Sequence, residues 1–322
     1  MSGRGDSSLA AVLLTQRLVE TAAPPLKASE YWSLLEAVPD PGALLGADAA
    51  AAVDSFGLAA EMAERVVRLF DAATALAFEL DRLEQSGVTV AASVDEDYPA
   101  ALRTLGAAAP PLLYVAGDPS LLQGRLLGVV GSRDVAPEGA AFAKEAAATA
   151  VGHGFGVVSG GAKGVDRLAM NAAVEAGGTA AGVLADSLLR TTRDPEVRRL
   201  ITDGSVCLCT PYKPSAGFTV SGAMGRNKLI YALSEATLVV SSDVEKGGTW
   251  AGAVEALRQS IAPVLVWTGD GAPPGNARLA SKGAVPVASA EALFAPRPDG
   301  DGGGAGGAGQ TEDPGHQLAL GL

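Results

Sequence analysis

The sequence predicts an α/β protein. Its core is a Rossmann-like parallel sheet with helices on both faces, preceded by a small all-α N-terminal domain and followed by a disordered Gly-rich tail. Three observations lead there. From residue 88 onward, short runs of continuous apolar residues alternate with helical stretches, as in a parallel sheet covered on both faces. Before that point, residues 7–22 and 57–86 are rich in Ala, Leu and charged residues at helical spacing. At the end, residues 298–316 are dominated by glycine and lack the apolar content to bury a core. The boundaries expected are 1–90 for the helical domain, 91–297 for the Rossmann-like domain and 298–322 for the tail.

In the first stretch, Leu76, Leu80 and Leu83 fall on one helix face. Pro24-Pro25, Pro39-Asp40-Pro41 and Gly57 break the chain into short helices. No glycine hairpin pattern is present to support a helix-hairpin-helix module.

The second stretch reads as follows. Strand Leu126–Val130 ends in Gly131-Ser132-Arg133, and a helix follows over about 138–152. Strand Gly156–Val158 ends in Ser159-Gly160-Gly161-Ala162-Lys163-Gly164, with a helix over about 165–176. Strands at Thr179–Leu184 and Ser205–Cys209 lead to an irregular segment reaching residue 224. A helix over about 225–234, strand Ala236–Val240, a helix over 248–259 and strand Ala262–Val266 complete the pattern.

Composition narrows the function classes. The chain has 322 residues, 48% of them hydrophobic, too many for a disordered chain. No apolar run approaches the ~20 residues of a membrane helix. The opening Met1-Ser2-Gly3-Arg4-Gly5-Asp6 lacks the features of a signal peptide, so a cytoplasmic location is expected. The two cysteines, Cys207 and Cys209, lie two apart on one strand face; they are read as packing residues rather than a disulfide. His153 and His316 cannot complete a zinc site with them and offer little for a Ser-His-Asp arrangement; His153 reads as a helix-end cap. No metal, cofactor or catalytic group is expected.

The net charge of −12 is unevenly spread. Residues 1–97 carry 6 basic against 16 acidic side chains, residues 98–297 carry 18 against 16, and residues 298–322 carry 0 against 4. A local basic groove in the middle of the chain is compatible with these numbers; a broad basic face is not.

Ligands of open parallel sheets bind at the carboxyl ends of the strands. Four segments there combine a cation with glycine at what reads as a helix start: Gly131-Ser132-Arg133, Ser159–Gly164 with Lys163, Gly225-Arg226-Asn227-Lys228, and Lys246-Gly247-Gly248-Thr249. Glycine lets backbone N–H groups approach an anion at a helix N-terminus. One such loop is better explained as a tight turn, whereas four together point to an anionic ligand with several phosphates. The G-x-x-x-x-G-K-[S/T] pattern is absent. A dinucleotide fingerprint is missed by one residue, Ser159, and Asp186 stands about where a ribose-binding acid would, so on chemistry alone a dinucleotide site stays open.

A resemblance bears on that choice. Tyr98-Pro99, Leu102, Pro110-Pro111-Leu112-Leu113-Tyr114 and Gly117 resemble the lead-in of the DNA-processing protein A (DprA/Smf) family. Val129–Arg133, Val158–Asp166, Gly225-Arg226-Asn227 through Ser234, Gly247-Gly248-Thr249 and Gly283-Ala284 resemble its later motifs in order, over about 95–295. The resemblance implies sequence-independent single-stranded DNA binding, homodimerisation, and loading of the RecA recombinase during natural transformation. It makes Arg133, Lys163 and Arg226 phosphate partners. Gly131, Ser132, Ser159, Gly160, Gly161, Gly164, Lys246, Gly247, Gly248 and Thr249 complete the loops, Asn227 orients a phosphate or base, and Asp166 fixes its loop. Departures at Cys209-Thr210, Val240-Ser241 and Pro211–Gly222, together with the absent C-terminal winged helix, bear on the RecA role and leave room for a relative working in genome maintenance or phage defence.

The wider superfamily includes nucleotide-cleaving (LOG-like) enzymes with a Pro-Gly-Gly-x-Gly-Thr-x-x-Glu loop. Here Gly252 stands where the Glu would, and Glu255 is one turn late. Finally, Gln317-Leu318-Ala319-Leu320-Gly321-Leu322 resembles the hexapeptide that docks on the polymerase sliding clamp: Leu318, Leu320 and Leu322 alternate on an extended strand, and Gln317 supplies a rim hydrogen bond.

Overall fold

The computed structural model describes residues 5–294. The tail and its terminal hexapeptide, Gln317 to Leu322, lie outside the described residues. Five helices come first: α1 (Asp6–Thr15), α2 (Ala28–Ala37), α3 (Ala49–Phe56), α4 (Ala60–Phe70) and α5 (Ala73–Gln85). Then follow β1 (Thr89–Ala92), β2 (Leu112–Ala116), β3 (Leu126–Gly131), α6 (Pro137–Gly152), β4 (Gly156–Ser159), α7 (Val165–Glu175), β5 (Ala180–Val183), α8 (Leu188–Thr191), α9 (Pro195–Thr202) and β6 (Val206–Thr210). The chain continues through α10 (Val220–Leu233), β7 (Ala236–Ser241), α11 (Gly247–Gln259), β8 (Val264–Trp267), α12 (Pro274–Ala280) and β9 (Val285–Val287).

The described strands form a Rossmann-type sheet in the order β1-β2-β6-β5-β4-β3-β7-β8-β9. The sequence anticipates its parallel core. The sheet is nevertheless mixed, because β2 runs antiparallel to both β1 and β6. None of the described helices is long and apolar enough to cross a membrane. The described residues fall into two compact units: one holds residues 5–124 with Ala180–Leu233, the other Arg125–Thr179 with residues 234–294.

In the first unit, α1 is enclosed on all sides: Ala10, Ala11, Val12 and Leu14 have 0% exposure. The following turn is held by Gln16, whose side-chain oxygen accepts from the amides of Leu18 (2.6 Å) and Val19 (3.0 Å). Arg65 on α4 gathers the Pro24-Pro25 segment, donating to both proline carbonyls (2.8 and 3.1 Å) and to Glu30 (3.0 Å). The Arg65 hydrogen bond, followed by the Lys27 amide, lowers the Glu30 pKa below the usual carboxylate range. Asp48 caps α3 through the Ala51 amide (2.8 Å), and Gly57, at φ +66, ends it.

β2 and β6 in this unit are buried along their whole length. β6 carries Cys207 and Cys209 as buried free thiols, and burial pushes Cys209 up to about 12 and Cys207 higher still. Helices α8 and α9 fill a stretch where the sequence predicted none. Asp194 caps α9 through the amides of Glu196 (2.9 Å) and Val197 (3.2 Å), with Pro195 at its first position.

In the second unit, β3 is flanked by β4 and β7 and β7 by β8, all parallel. Leu127, Val129, Val157, Val158, Leu238, Val239 and Val240 are 0% exposed. Each such side chain contributes roughly 1.5–3 kcal/mol of burial. The stacked pair Phe142 and Trp267 (4.9 Å) packs α6 on the sheet. At the amino-terminal edge, the Arg125 guanidinium lies 4.0 Å over Phe155 and pairs with Glu235 at 2.9 Å. His153, the C-cap residue of α6, stacks on Phe294 at 4.2 Å.

Candidate nucleic-acid interface

Three of the four glycine-and-cation loops belong to the second unit. They leave the carboxyl ends of β4, β3 and β7, three neighbouring strands spaced about 4.8 Å apart, so they stand side by side. Arg133, Lys163 and Lys246 are all exposed at this edge, and so are Gly247 and Gly248. Gly131, Ser132, Gly161, Gly164 and Thr249 are half-buried, while Ser159 and Gly160 are buried.

The first two loops are locked together. Gly164 adopts φ +89 and ψ −134, and a Cβ there would run into the Ser132 carbonyl oxygen and lie 2.7 Å from the Arg133 Cα and carbonyl oxygen. Gly131 meets Val165 in the same way, with Cβ of Val165 at 2.9 Å from the missing methyl. The Val165 amide donates to the Ser132 carbonyl at 3.2 Å. Asp166, 7% exposed, accepts from the Ala162 amide at 3.4 Å, and Arg167 donates to the Gly161 carbonyl at 3.3 Å. The role expected of Asp166, fixing the loop, matches this geometry. Ser132 spends its hydroxyl locally, accepting from the Asp134 amide at 3.1 Å. Ser159 faces the interior and donates to the Val129 carbonyl at 2.5 Å, tying β4 to β3; its hydroxyl is occupied by the fold.

The third loop differs in build. Residues 243–248 are all exposed, and both Glu245 (φ +55) and Gly247 (φ +81) have left-handed backbone. They bring the chain into α11, whose N-cap is Lys246. That helix has no side-chain cap and no acidic residue in its first turn, which favours an anion there.

The fourth segment is corrected by the structure. Gly225-Arg226-Asn227-Lys228 does not open a helix; α10 begins five residues earlier, at Val220. Thr219 accepts from the Gly222 amide at 3.0 Å, and the Tyr212 hydroxyl donates to the Gly222 carbonyl at 2.8 Å. These contacts draw Val220–Met224 into the helix, leaving only Pro211–Thr219 irregular. Arg226 therefore sits mid-helix in the first unit, 6% exposed, its charge acting on Cys209 and Tyr212. Asn227 and Lys228 beside it are half-buried.

One residue at the second unit's edge carries no signal in the sequence. Asn276, 0% exposed, donates to the carbonyls of Val240 (2.9 Å) and Trp267 (2.8 Å) and accepts from the Ser242 amide (3.0 Å). An Asn following Pro273-Pro274-Gly275 looks like a turn residue, so only the fold reveals its burial.

Comparison with known proteins places these loops in context. Residues 89–296 match the family model of DNA recombination-mediator protein A. The DNA processing protein DprA of Bacillus subtilis is 29% identical over 197 residues, 59% of this chain and 65% of that protein, so the chain matches just under two thirds of the relative's length. Among solved structures, DNA processing protein A from Streptococcus pneumoniae is similar in fold, with a TM-score of 0.57 and 21% identity over 83% of this chain and 96% of the other. The Helicobacter pylori protein of the same name, described for its single-stranded DNA binding mode, gives 0.53 and 22% over 64% and 94%.

Proposed function

The chain belongs to the DNA recombination-mediator protein A family, and on that premise we propose that it binds single-stranded DNA without sequence preference through the carboxyl edge of β4, β3 and β7. The observation that carries this reading is the row of three exposed cations, Arg133, Lys163 and Lys246, on loops whose backbones are fixed by glycine contacts and a helix start. Such an edge suits a phosphate chain better than a single mononucleotide, because the cations are spread along neighbouring strands rather than gathered on one loop. Arg226 and Asn227, made phosphate partners by the resemblance, lie on α10 in the first unit and are not part of this row.

Three phosphate contacts give a slope of log affinity against log salt of about −2 on single strands. Fluorescence anisotropy with labelled oligothymidine tests the assignment. Arg133→Glu and Lys163→Glu are each expected to weaken binding by an order of magnitude or more; unchanged affinity at moderate salt refutes it. The same samples incubated with AMP are expected to release no free base, since Glu255 on α11 is a turn removed from the position a nucleotide-cleaving loop requires.

The further roles follow from the family alone: a homodimer, and help in loading RecA on single strands during transformation or repair. Light scattering and RecA filament assembly on coated single strands test these two. Docking of Gln317, Leu318, Leu320 and Leu322 on the sliding clamp rests on the sequence alone. A peptide of residues 312–322 should bind purified clamp with micromolar affinity, and a silent titration removes the idea.

A further inference from the structure

We infer that Asn276 is a positioning residue for the Lys246 loop: its buried amide joins the ends of β7 and β8 and so sets where that loop leaves the sheet. The inference rests on the single-stranded DNA reading and adds to it a determinant that touches no ligand.

The ladder between β7 and β8 runs through Thr237, Leu238 and Val239 against Val264, Leu265 and Val266, and no pairing continues to Val240 and Trp267. At that point the Asn276 amide enters between the strands. Its nitrogen donates to the Val240 carbonyl at 2.9 Å and to the Trp267 carbonyl at 2.8 Å, and its oxygen accepts from the Ser242 amide at 3.0 Å. One side chain thus satisfies two carbonyls and one N–H that the parting strands leave buried. The preceding residue closes the fit. A Cβ on Gly275 would collide with the Ser242 carbonyl oxygen and lie 2.7 Å from the Asp243 carbonyl carbon, so the first turn of α12 presses on the loop root. From this fixed root the exposed loop passes through left-handed Glu245 and Gly247 to α11. Nothing else among the described hydrogen bonds anchors Ser242 and Asp243 to α12, so on the β7 side the path of the loop towards Lys246, the N-cap of α11, depends on the amide.

Aspartate at 276 keeps the acceptor for Ser242 but sets a carboxylate against two carbonyls. Serine is too short to span the gap. Either change frees the loop root while leaving Arg133, Lys163 and their interlocked loops as they are.

The test is a double-mutant cycle read by oligothymidine anisotropy over a salt series on the full chain. Asn276→Ser is expected to weaken binding about tenfold and to reduce the salt slope by about 0.7, as loss of one phosphate contact does. Lys246→Ala should do the same, and the double variant should be no weaker than either alone. Asn276→Ser combined with Lys163→Ala should multiply. A loss for Asn276→Ser and Lys246→Ala that multiplies, or affinity within twofold of wild type, overturns the inference. Should Asn276→Ser fail to fold, hydrogen exchange on the wild-type protein decides. The Ser242 amide should exchange as slowly as those of β7, and exchange as fast as that of exposed Val244 refutes the latch. Failure of the DNA reading looks different: the wild-type chain itself then shows no binding to oligothymidine.

Discussion

Replacing Gly164 with alanine tests whether the two interlocked loops behave as one unit. The backbone at φ +89, ψ −134 is practically restricted to glycine, and an L-residue there is strained by about 1–3 kcal/mol. The methyl must also displace the Ser132 carbonyl and the Arg133 backbone, which lies 2.7 Å away. Overpacking against backbone adds about 1–3 kcal/mol, for a total of roughly 2–6 kcal/mol. For a domain of this size, each kcal/mol moves Tm by about 2–4 °C, so a fall of at least ~4 °C is expected. Gly177, just beyond the other end of α7, is the control. It has φ +80 but nothing within 4 Å of the place a methyl would occupy, so Gly177→Ala bears the strain without the collision. Differential scanning fluorimetry measures both variants, and oligothymidine anisotropy shows whether Arg133 has been displaced. If Gly164→Ala melts no lower than Gly177→Ala and binds DNA as wild type does, the loops are not locked and the edge is not preset.

Three other outcomes follow from the described contacts. Glu245→Asn should stabilise the protein by several tenths of a kcal/mol, because Asn tolerates the left-handed backbone better, and should tighten DNA binding by removing a carboxylate beside Lys246; a lower Tm together with weaker binding contradicts this. Cys207 and Cys209, buried and with Cys209 pushed up to about 12, should resist Ellman's reagent at pH 8 until the chain is unfolded, and rapid native labelling refutes their placement. Glu30 has a folded pKa below its ordinary value of 4.5, so its pairing with Arg65 stabilises the fold above that pH and is lost as pH falls through the folded value. The Tm gap between wild type and Glu30→Gln should therefore narrow below about pH 4.5, and a gap constant from pH 7 to 3 argues against the pair.

Much of the second unit was legible in the sequence because its strands are continuous apolar runs. Leu126–Val130 and Ala236–Val240 have no polar residue to confuse the period beyond Thr237, and the strands found there differ by a residue or so at their ends. The glycine loops were legible as loops, since Gly161, Gly164 and Gly247 occupy left-handed backbone that announces itself in composition. What the sequence hid depends on contacts across the fold. The start of α10 is set by Thr219 and by the hydroxyl of Tyr212, seven residues upstream, in a stretch whose Gly222 and Gly225 argue against a helix. Arg226 reads as a surface cation, and only the fold shows it to be an interior one, 6% exposed, with its charge felt at Cys209 and Tyr212. In contrast, α9 carries its signal in the sequence, Asp194 before Pro195.

The threading of the chain through the first unit has a consequence for its synthesis. β2 is complete at Ala116, yet its partner β6 begins at Val206, about ninety residues later. At ribosomal speeds of about 5–20 residues per second, that interval lasts roughly 5–20 s. Through it one edge of a fully apolar strand waits without a partner, with only β1 beside it. The same arithmetic governs truncation. A fragment ending at Gly124 keeps all five N-terminal helices but never acquires β6, against whose Val206 carbonyl Gly117 is fitted at 2.7 Å from a Cβ position. Such a fragment should aggregate through β2, and during translation the same edge is a part of the nascent chain that a chaperone would shield.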